Sequence, residues 1–306
     1  MTRPSAPVLI IASLIVANLI VGAPVGAVTP ASPGSLAAVL GRATAGETIR
    51  LQPGDYSAID LRDRHWVPAI TIDAAAARLR SVRLTSVSGL AWRGGVFDGD
   101  GVERSGFGIQ KSDHIEIDGV TLRRYLRVGI GIGSTHDARI ANNVFTDMGS
   151  DGIDIALSRR IVVDHNRCTG SQPTEGAHPD CIQLWSRPSE QPTADITITN
   201  NDATGDTQGF TAFNHSRPDA TGKMVDDGGF DRITVENNHA RVSTWHGVTV
   251  YSCRGCIVRH NRVETLPNPT NPRIRAWIKL VDSGDAVVCD NRADTGYAAG
   301  TGRCRD

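Results

Sequence analysis

The chain has 306 residues, a formal net charge of −1 and an isoelectric point near 6.8. This balance excludes a partner bound through overall charge, such as nucleic acid. Only 5% of the residues are aromatic while 32 are glycine, which favours many short strands and turns over a helical bundle.

The first 27 residues have the pattern of a signal peptide. Arg3 gives a positive start, an apolar run of fifteen residues spans 8–22, and small residues at 25–27 precede a stretch rich in Thr, Pro and Ser. The run is shorter than the about 20 residues that cross a bilayer. We therefore expect an exported protein, secreted or periplasmic, without stable membrane insertion. Residues 28–306 are then expected to form one domain.

Six cysteines fit an exported protein, in which disulfides persist. They fall into three pairs of near neighbours, so three local bridges are one of the pairings that six cysteines allow. The pairs are Cys168 with Cys181, Cys253 with Cys256, and Cys289 with Cys304. A zinc site at the Cys-x-x-Cys pair is disfavoured because it lacks a second close pair.

A short strand pattern recurs along most of the chain. Each copy alternates apolar and variable residues, as a strand with one buried face does. The copies are 106–110, 129–133, 152–156, 181–185, 209–213, 247–251 and 277–281, and their starts lie 23, 23, 29, 28, 38 and 30 residues apart. The spacing predicts a unit of about 23 residues with insertions, which buries its apolar face only by stacking on its neighbours.

A second recurring segment ends in asparagine. One asparagine falls at the same place in successive units: Asn143, Asn166, Asn201, Asn238, Asn261 and Asn291. Asparagine tolerates the left-handed conformation of a tight bend, and a stacked column of its amides satisfies polar groups that stacking buries. Earlier coils are predicted at 48–51, 70–73 and 82–85. A helix over 35–42, with Ser35 as its N-cap, is expected to cover the N-terminal end.

The coils and the asparagine column resemble the right-handed parallel β-helix of the pectate lyase-like superfamily, over about residues 45–295. The resemblance implies an all-β fold: a single-stranded solenoid with an Asn ladder and an N-terminal cap. It also implies a secreted carbohydrate-active enzyme with a polysaccharide as its partner. We expect the protein to be a monomer.

Stacking in register places polar and aromatic residues of the middle coils about 4.8 Å apart. The position before each strand segment includes Asp151, Asp180 and His246; the third position includes Asp154, Gln183 and Lys279; the fifth includes Trp185, Phe213 and Tyr251. Like charges so close require a cation or a shared proton. A row of outward aromatic rings is a natural platform for sugar rings.

Elimination from a uronic-acid polymer is the first interpretation of these residues. Asp151, Asp154, Asp180 and Gln183 offer oxygen ligands that suit Ca²⁺, and Asp151-Gly-Ile-Asp154 looks like the Asp-Gly-x-Asp part of the calcium site of β-helical pectate lyases. The base is expected among His178, His246 and Lys223. Arg217, Lys223, Arg275 and Lys279 are candidate binders of substrate carboxylates. Segments 187–195 and 215–231 are predicted loops that wall the groove.

Hydrolysis is the second interpretation, because the chain is similar to polygalacturonases in scattered places. Gly94–Gly101 looks like their Gly-rich turn, Asp151-Gly152 like their first catalytic Asp-Gly, Asp180-Cys181 like the end of their Asp-Asp-Cys, His246-Gly247 like their His-Gly, and Ile278-Lys279 like their Arg-Ile-Lys. Pro179 replaces the first of the paired aspartates, no arginine directly precedes Ile278, and the His-Gly lies one coil later.

Because Pro179 stands where the first of the paired aspartates would be, we favour a polysaccharide lyase over a glycoside hydrolase that uses paired aspartates. The predicted catalytic residues are Asp180, His178, His246 and Asp151, and the predicted substrate contacts are Gln183, Trp185, Phe213, Tyr251, Arg217, Lys223, Arg275 and Lys279. Two further alternatives are a C5-epimerase, which shares proton abstraction with the lyases, and a non-catalytic carbohydrate-binding β-helix.

Overall fold

A computed structural model describes residues 28–173, 176–186, 192–213, 221 and 228–304, together with the backbone of 217–218 and 224–225. The predicted signal peptide, Lys223 and the side chain of Arg217 lie outside this part of the chain. None of the helices within it is long and apolar enough to cross a membrane.

The N-terminal part consists of β1 (Val28–Ala31), α1 (Leu36–Arg42), β2 (Thr48–Leu51), β4 (Ile59–Asp73) and β6 (Val82–Arg93). The strands pair in parallel in the order β1-β2-β4-β6, and β6 then pairs with strands of two different faces of the stack. The predicted early coils at 48–51, 70–73 and 82–85 all lie in these strands.

From β6 onward each coil adds one strand to each of three parallel faces. The first face contains β8 (Ser105–Gln110), β11 (Val128–Gly133), β14 (Asp151–Ala156), β17 (Asp180–Trp185), β20 (Gln208–Phe213), β25 (His246–Tyr251) and β29 (Trp277–Val281). The second contains β9 (Asp113–Asp118), β12 (His136–Ala141), β15 (Arg159–Asp164), β18 (Thr193–Thr199), β23 (Phe230–Glu236), β26 (Cys253–Arg254), β27 (Ile257–Arg259) and β30 (Val287–Cys289).

The third face consists mostly of three- and four-residue strands. They are β3 (Gly54–Tyr56), β5 (Ala77–Leu79), β7 (Val96–Asp98), β10 (Thr121–Arg123), β13 (Val144–Thr146), β16 (Arg167–Thr169), β19 (Asp202–Gly205), β24 (His239–Val242), β28 (Arg262–Thr265) and β31 (Arg292–Ala293). Successive strands on every face are parallel, so the architecture is the predicted parallel β-helix.

Alternation along the strands builds the core. In β14 the side chains of Ile153 and Ile155 are fully buried inside the solenoid, while the intervening Asp154 points away from them. Glycine at the start of a first-face strand has a steric reason: a Cβ at Gly209 would lie 2.1 Å from the carbonyl oxygen of Gly247 in the next coil.

The Asn ladder is present and continuous from Asn143 to Asn291. Each side-chain amide donates to the Oδ1 of the next asparagine at 2.9–3.1 Å. The predicted left-handed bend falls one residue earlier, at positions such as Asn200 and Asn237, where φ is 57°. The ladder residues therefore act through hydrogen bonds, and the bend belongs to their predecessors.

Helix α1 covers the N-terminal coil with the buried side chains of Leu36, Val39 and Leu40. Ser35 occupies the N-cap position but makes no side-chain cap hydrogen bond; its Oγ accepts the N–H of Ser32 at 2.9 Å instead.

The three local disulfides form as predicted: Cys168–Cys181, Cys253–Cys256 and Cys289–Cys304.

The predicted loops are shorter than expected at their C-terminal ends, because β18 begins at Thr193 and β23 at Phe230. Between them β21 (Arg217–Pro218) and β22 (Met224–Val225) form a small antiparallel pair.

Candidate active site

Three aspartates meet where β14 and β17 lie side by side on the first face. Asp151 and Asp180 begin these two strands, and the backbone N–H of Asp180 donates to Oδ1 of Asp151 at 2.8 Å. Asp154 stands opposite Gln183 in the register of the same pair. The predicted columns are thus confirmed over these coils, and three carboxylates are brought together.

Asp180 is the most enclosed of the three, with a side-chain exposure of 0%. It accepts hydrogen bonds from Oγ1 of Thr211 at 2.6 Å and from Nε2 of Gln183 at 3.2 Å, and it lies 3.5 Å from Nδ1 of His178. Burial raises the pKa of Asp180 to about 7, and the negative charge of Asp151 adds to this effect. Hydrogen bonds from His178 and Thr211 oppose the rise.

The pKa values of Asp151 and Asp154 are both raised. Burial raises the pKa of Asp151, and burial followed by the charges of Asp151 and Asp180 raises the pKa of Asp154 well above its usual range. A hydrogen bond links the two carboxyl groups, and one from Trp185 lowers the pKa of Asp154 only in part. Asp154 is therefore the more readily protonated of the two carboxyl groups.

The three aspartates do not form a compact set of ligand atoms. Within the described residues, the one group of three His, Cys, Asp or Glu ligand atoms lying within 4.8 Å of one another is at His260, Asp290 and Cys304, and the sulfur of Cys304 is already in a disulfide. Both oxygens of Asp180 already accept hydrogen bonds. Among the described atoms, Oδ1 of Asp154 and Oε1 of Gln183 lack a hydrogen-bond partner.

The two predicted histidines have opposite properties. His178 has a side-chain exposure of 60%, and its hydrogen bond to Asp180 raises its pKa above the ordinary value. Burial lowers the pKa of His246 to about 4, and the charge of Lys279 acts in the same direction. His178 therefore tends to hold a proton, whereas His246 is neutral at pH 7 with Nδ1 3.0 Å from Oγ1 of Thr249.

The predicted aromatic row is present beside the carboxylates. Trp185 stands opposite Phe213, whose ring lies 5.5 Å from that of Tyr251 and 5.2 Å from that of His246. All three aromatic side chains are half-buried, so each keeps an accessible part. Trp185 differs from the other two because its indole also contacts Asp154.

The last coil of the first face carries a second cluster. Lys279 lies three coils from Asp180, as predicted. A register shift between His246 and Val248 of β25 places Trp277 opposite His246, where Ala276 was expected. Trp277 stacks on Trp245 with ring centroids 5.3 Å apart, and Nζ of Lys279 lies 5.3 Å from its ring.

A cavity of about 550 Å³ opens at this cluster. It is lined by Trp245, Arg273, Arg275, Trp277, Lys279 and Tyr297. Sequence reasoning missed Trp245, Arg273 and Tyr297 because all three lie outside the repeating strands. The one available signal was that Trp245 directly precedes His246.

The right-handed β-helix region family matches residues 105–293, which is more than half of the chain. The protein therefore belongs to this family. No curated protein sequence is a significant match.

Solved structures share the fold at low sequence identity. An alginate lyase from Paenibacillus sp. str. FPU-7 superposes with a TM-score of 0.53 at 15% identity, over 85% of this chain and 99% of that chain. A family 28 exopolygalacturonase of Yersinia enterocolitica gives 0.52 at 11% identity over 90% and 77%. PfbA, a surface adhesin of Streptococcus pneumoniae, gives 0.53 at 14% identity over 88% and 70%. These proteins differ in function, so the likeness establishes the fold alone.

Proposed function

We propose that this protein cleaves a polysaccharide at the carboxylate cluster formed by Asp151, Asp154 and Asp180. The supporting observation is that three carboxyl groups meet at one place on the first face, where the fully buried Asp180 contacts the exposed side chain of His178. Clustered buried carboxylates destabilise a fold, which makes a purely structural role a poor explanation. The lyase and polygalacturonase among the structures of the same fold are consistent with this proposal.

Hydrolysis is the mechanism that the protonation pattern favours. His178 in its protonated form donates a proton to the glycosidic oxygen as the bond from that oxygen to the anomeric carbon breaks. Ionised Asp151 accepts a proton from the water whose oxygen forms the new bond to that carbon. Asp180 acts as a positioning residue for His178. Pro179 replaces the first aspartate of the Asp-Asp-Cys motif, and the imidazole of His178, one residue earlier, then serves as the proton donor in its place.

β-Elimination on a uronic-acid polymer is the second candidate, because His246 is neutral and half-buried and is able to accept a proton. In this mechanism a cation or protonated Asp154 offsets the substrate carboxylate while the base removes the neighbouring proton. Dependence on Ca²⁺ remains a prediction, as does C5-epimerisation, which begins with the same proton abstraction.

Export and a monomeric state also remain proposals. Three disulfides within the described residues support an oxidising compartment, and a polysaccharide substrate is expected outside the cytoplasm.

Incubation with acidic and neutral polysaccharides, with Ca²⁺ or with a chelator, tests the proposal. Hydrolysis releases reducing ends without a new chromophore and survives chelation. Elimination gives an unsaturated product that absorbs in the ultraviolet. If neither product forms on any polymer, the carbohydrate-binding alternative replaces the enzymatic one.

A matched pair of histidine variants tests the role of His178. We expect His178→Gln to lower kcat about 10²- to 10⁴-fold, the usual contribution of a general acid. His136→Gln is the control, because His136 is likewise exposed and also contacts an aspartate, Asp137, but lies on the second face. Equal activity of the two variants would contradict the assignment.

A further inference from the structure

The cavity at the last coil, here called the terminal pocket, combines aromatic and cationic side chains. Its lining comprises Trp245, Trp277, Tyr297, Arg273, Arg275 and Lys279. Its volume of about 550 Å³ lies within the range of about 300–1,000 Å³ that is typical of small-molecule sites. It is therefore large enough to enclose a sugar ring.

The cations of the terminal pocket differ from cations such as Arg93 and Arg232, which are paired with acidic residues. Arg93 contacts Glu116 at 2.6 Å and Asp118 at 2.8 Å, and Arg232 contacts Asp195 at 2.6 Å. By contrast, no ion pair to an acidic residue is found for the three pocket cations within the described part of the chain. Unbalanced positive charges that line one cavity favour an anionic ligand.

Arg275 is held in place by its own loop, because its guanidinium donates to the carbonyl oxygens of Pro272 and Ile274 at 3.0 and 2.7 Å. Lys279 is held over Trp277 by a cation–π contact of 5.3 Å. Both cations are exposed, so a ligand can reach them.

The aromatic side chains provide the apolar half of the site. The indoles of Trp245 and Trp277 are nearly parallel, with an interplanar angle of 28°, and both remain half-buried. Tyr297 is 62% exposed at the rim. Flat rings beside unpaired cations suit a ligand that has an apolar face and a carboxylate, as a uronic acid does.

Ring contacts on the first face link the terminal pocket to the aromatic row beside the carboxylate cluster. The ring of Trp277 lies 5.2 Å from that of His246, which in turn contacts Phe213. Three coils separate Lys279 from Asp180, which corresponds to roughly 14 Å at the strand spacing of a sheet. A polymer lying along the first face would therefore meet both regions.

We propose that the terminal pocket binds one uronate residue of the substrate, with the ring against Trp245 and Trp277 and the carboxylate among Arg273, Arg275 and Lys279. This inference rests on the proposed function for the polymer to which the uronate belongs. Binding itself requires no catalysis. The substrate class follows: an acidic polysaccharide with a uronate placed about three coils from the bond that is cleaved.

Saturation-transfer NMR on the full chain carrying Asp151→Asn tests the pocket with galacturonic acid and glucuronic acid as probes, and with galactose and glucose as neutral references. We expect at least one uronate to bind about tenfold more tightly than its neutral counterpart, and we expect this preference to weaken as salt is added. Lys279→Met should weaken the preference, since two of the three cations remain, and Trp245→Ala should weaken binding of the uronate.

Arg292→Met is the matched control, because Arg292 is an exposed cation near the same end but on the third face. Equal binding of uronates and neutral sugars, or a uronate preference that Lys279→Met leaves unchanged, would overturn the inference. Uronate binding by a chain that cleaves no polymer would refute the proposed function but support the uronate site in the terminal pocket. Cleavage of a polymer by a chain without uronate preference would support the proposed function but refute the uronate site.

Discussion

Two columns of polar residues run along this solenoid, and they are built in opposite ways. In the Asn ladder each buried amide donates to its successor and accepts from its predecessor, so identical groups satisfy one another. In the carboxylate cluster identical groups repel one another, and Oδ1 of Asp154 and Oε1 of Gln183 have no partner among the described atoms.

The difference separates a stabilising role from a chemical one. An amide is its own complement at a repeat of one coil, whereas an ionised carboxylate requires a proton or a cation between copies. Stacking therefore strengthens the ladder and weakens the cluster. A group that the fold holds at the expense of its own stability is a candidate for catalysis.

The largest expected effect is on catalysis. Asp151→Asn should lower kcat/KM about 10³- to 10⁴-fold, because the amide cannot accept a proton from water. The same variant should unfold at no lower denaturant concentration than the wild type. Steady-state kinetics and chemical denaturation measure the two properties.

Asp137→Asn, a surface carboxylate on the second face, is the control and should leave kcat/KM unchanged. If Asp151→Asn loses stability and keeps its activity, the two columns have the same role and the comparison fails.

The next effect concerns the ladder. Asn201→Ala should lower the free energy of unfolding by about 3 kcal/mol, because it leaves buried partners such as the N–H of Asn166 and the carbonyl of Val163 unsatisfied. Thr197→Ala in the same coil should cost less than about 1 kcal/mol. Denaturant unfolding measures both, and similar losses would show that the ladder amides are replaceable.

A smaller effect of opposite sign is expected in the cluster. The folded-state pKa of Asp154 is raised, so the stability that its proton contributes is present below the pKa of the unfolded chain and is lost as pH rises through the folded-state pKa. Asp154→Asn removes this loss and should raise Tm by about 2–4 °C at pH 8. Thermal unfolding at pH 5 and pH 8 measures the change, which should be smaller at pH 5. A Tm lowered at both pH values would mean that the carboxyl group stabilises the fold.

The smallest effect concerns protonation of His178. Asp180→Asn should lower the pKa of His178, because the hydrogen bond to Asp180 is the main cause of its rise. The shift should be modest since this side chain is 60% exposed and solvent screens the interaction. The basic limb of the pH profile for kcat/KM should then move to lower pH, and NMR titration of the imidazole checks the cause. An unmoved limb would assign it to another group.

The Asn ladder and the strand register could be predicted because both repeat, and a repeat with a fixed side-chain period determines which residues share a column. Asp151, Asp154 and Asp180 were placed together in this way. Their protonation was not predictable, because the burial of Asp180 depends on Thr211, His178 and the turns around them.

The terminal pocket was only partly predictable. Lys279 and Arg275 were expected to bind a carboxylate, but Trp245 and Tyr297 lie in connections whose path no periodic pattern specifies. The register shift that places Trp277 opposite His246 could not be predicted either. A single extra residue leaves the apolar alternation of β29 intact, so the sequence pattern does not reveal it.

The stacking of parallel coils also constrains how this groove can vary. The separation between the carboxylate cluster and the terminal pocket is a whole number of coils, so an inserted or deleted coil changes it in steps of about 4.8 Å. Side-chain substitutions alter what each region binds without altering this separation. Substrate length and substrate chemistry are therefore adjustable independently in this fold, the first by the number of coils and the second by the residues on them.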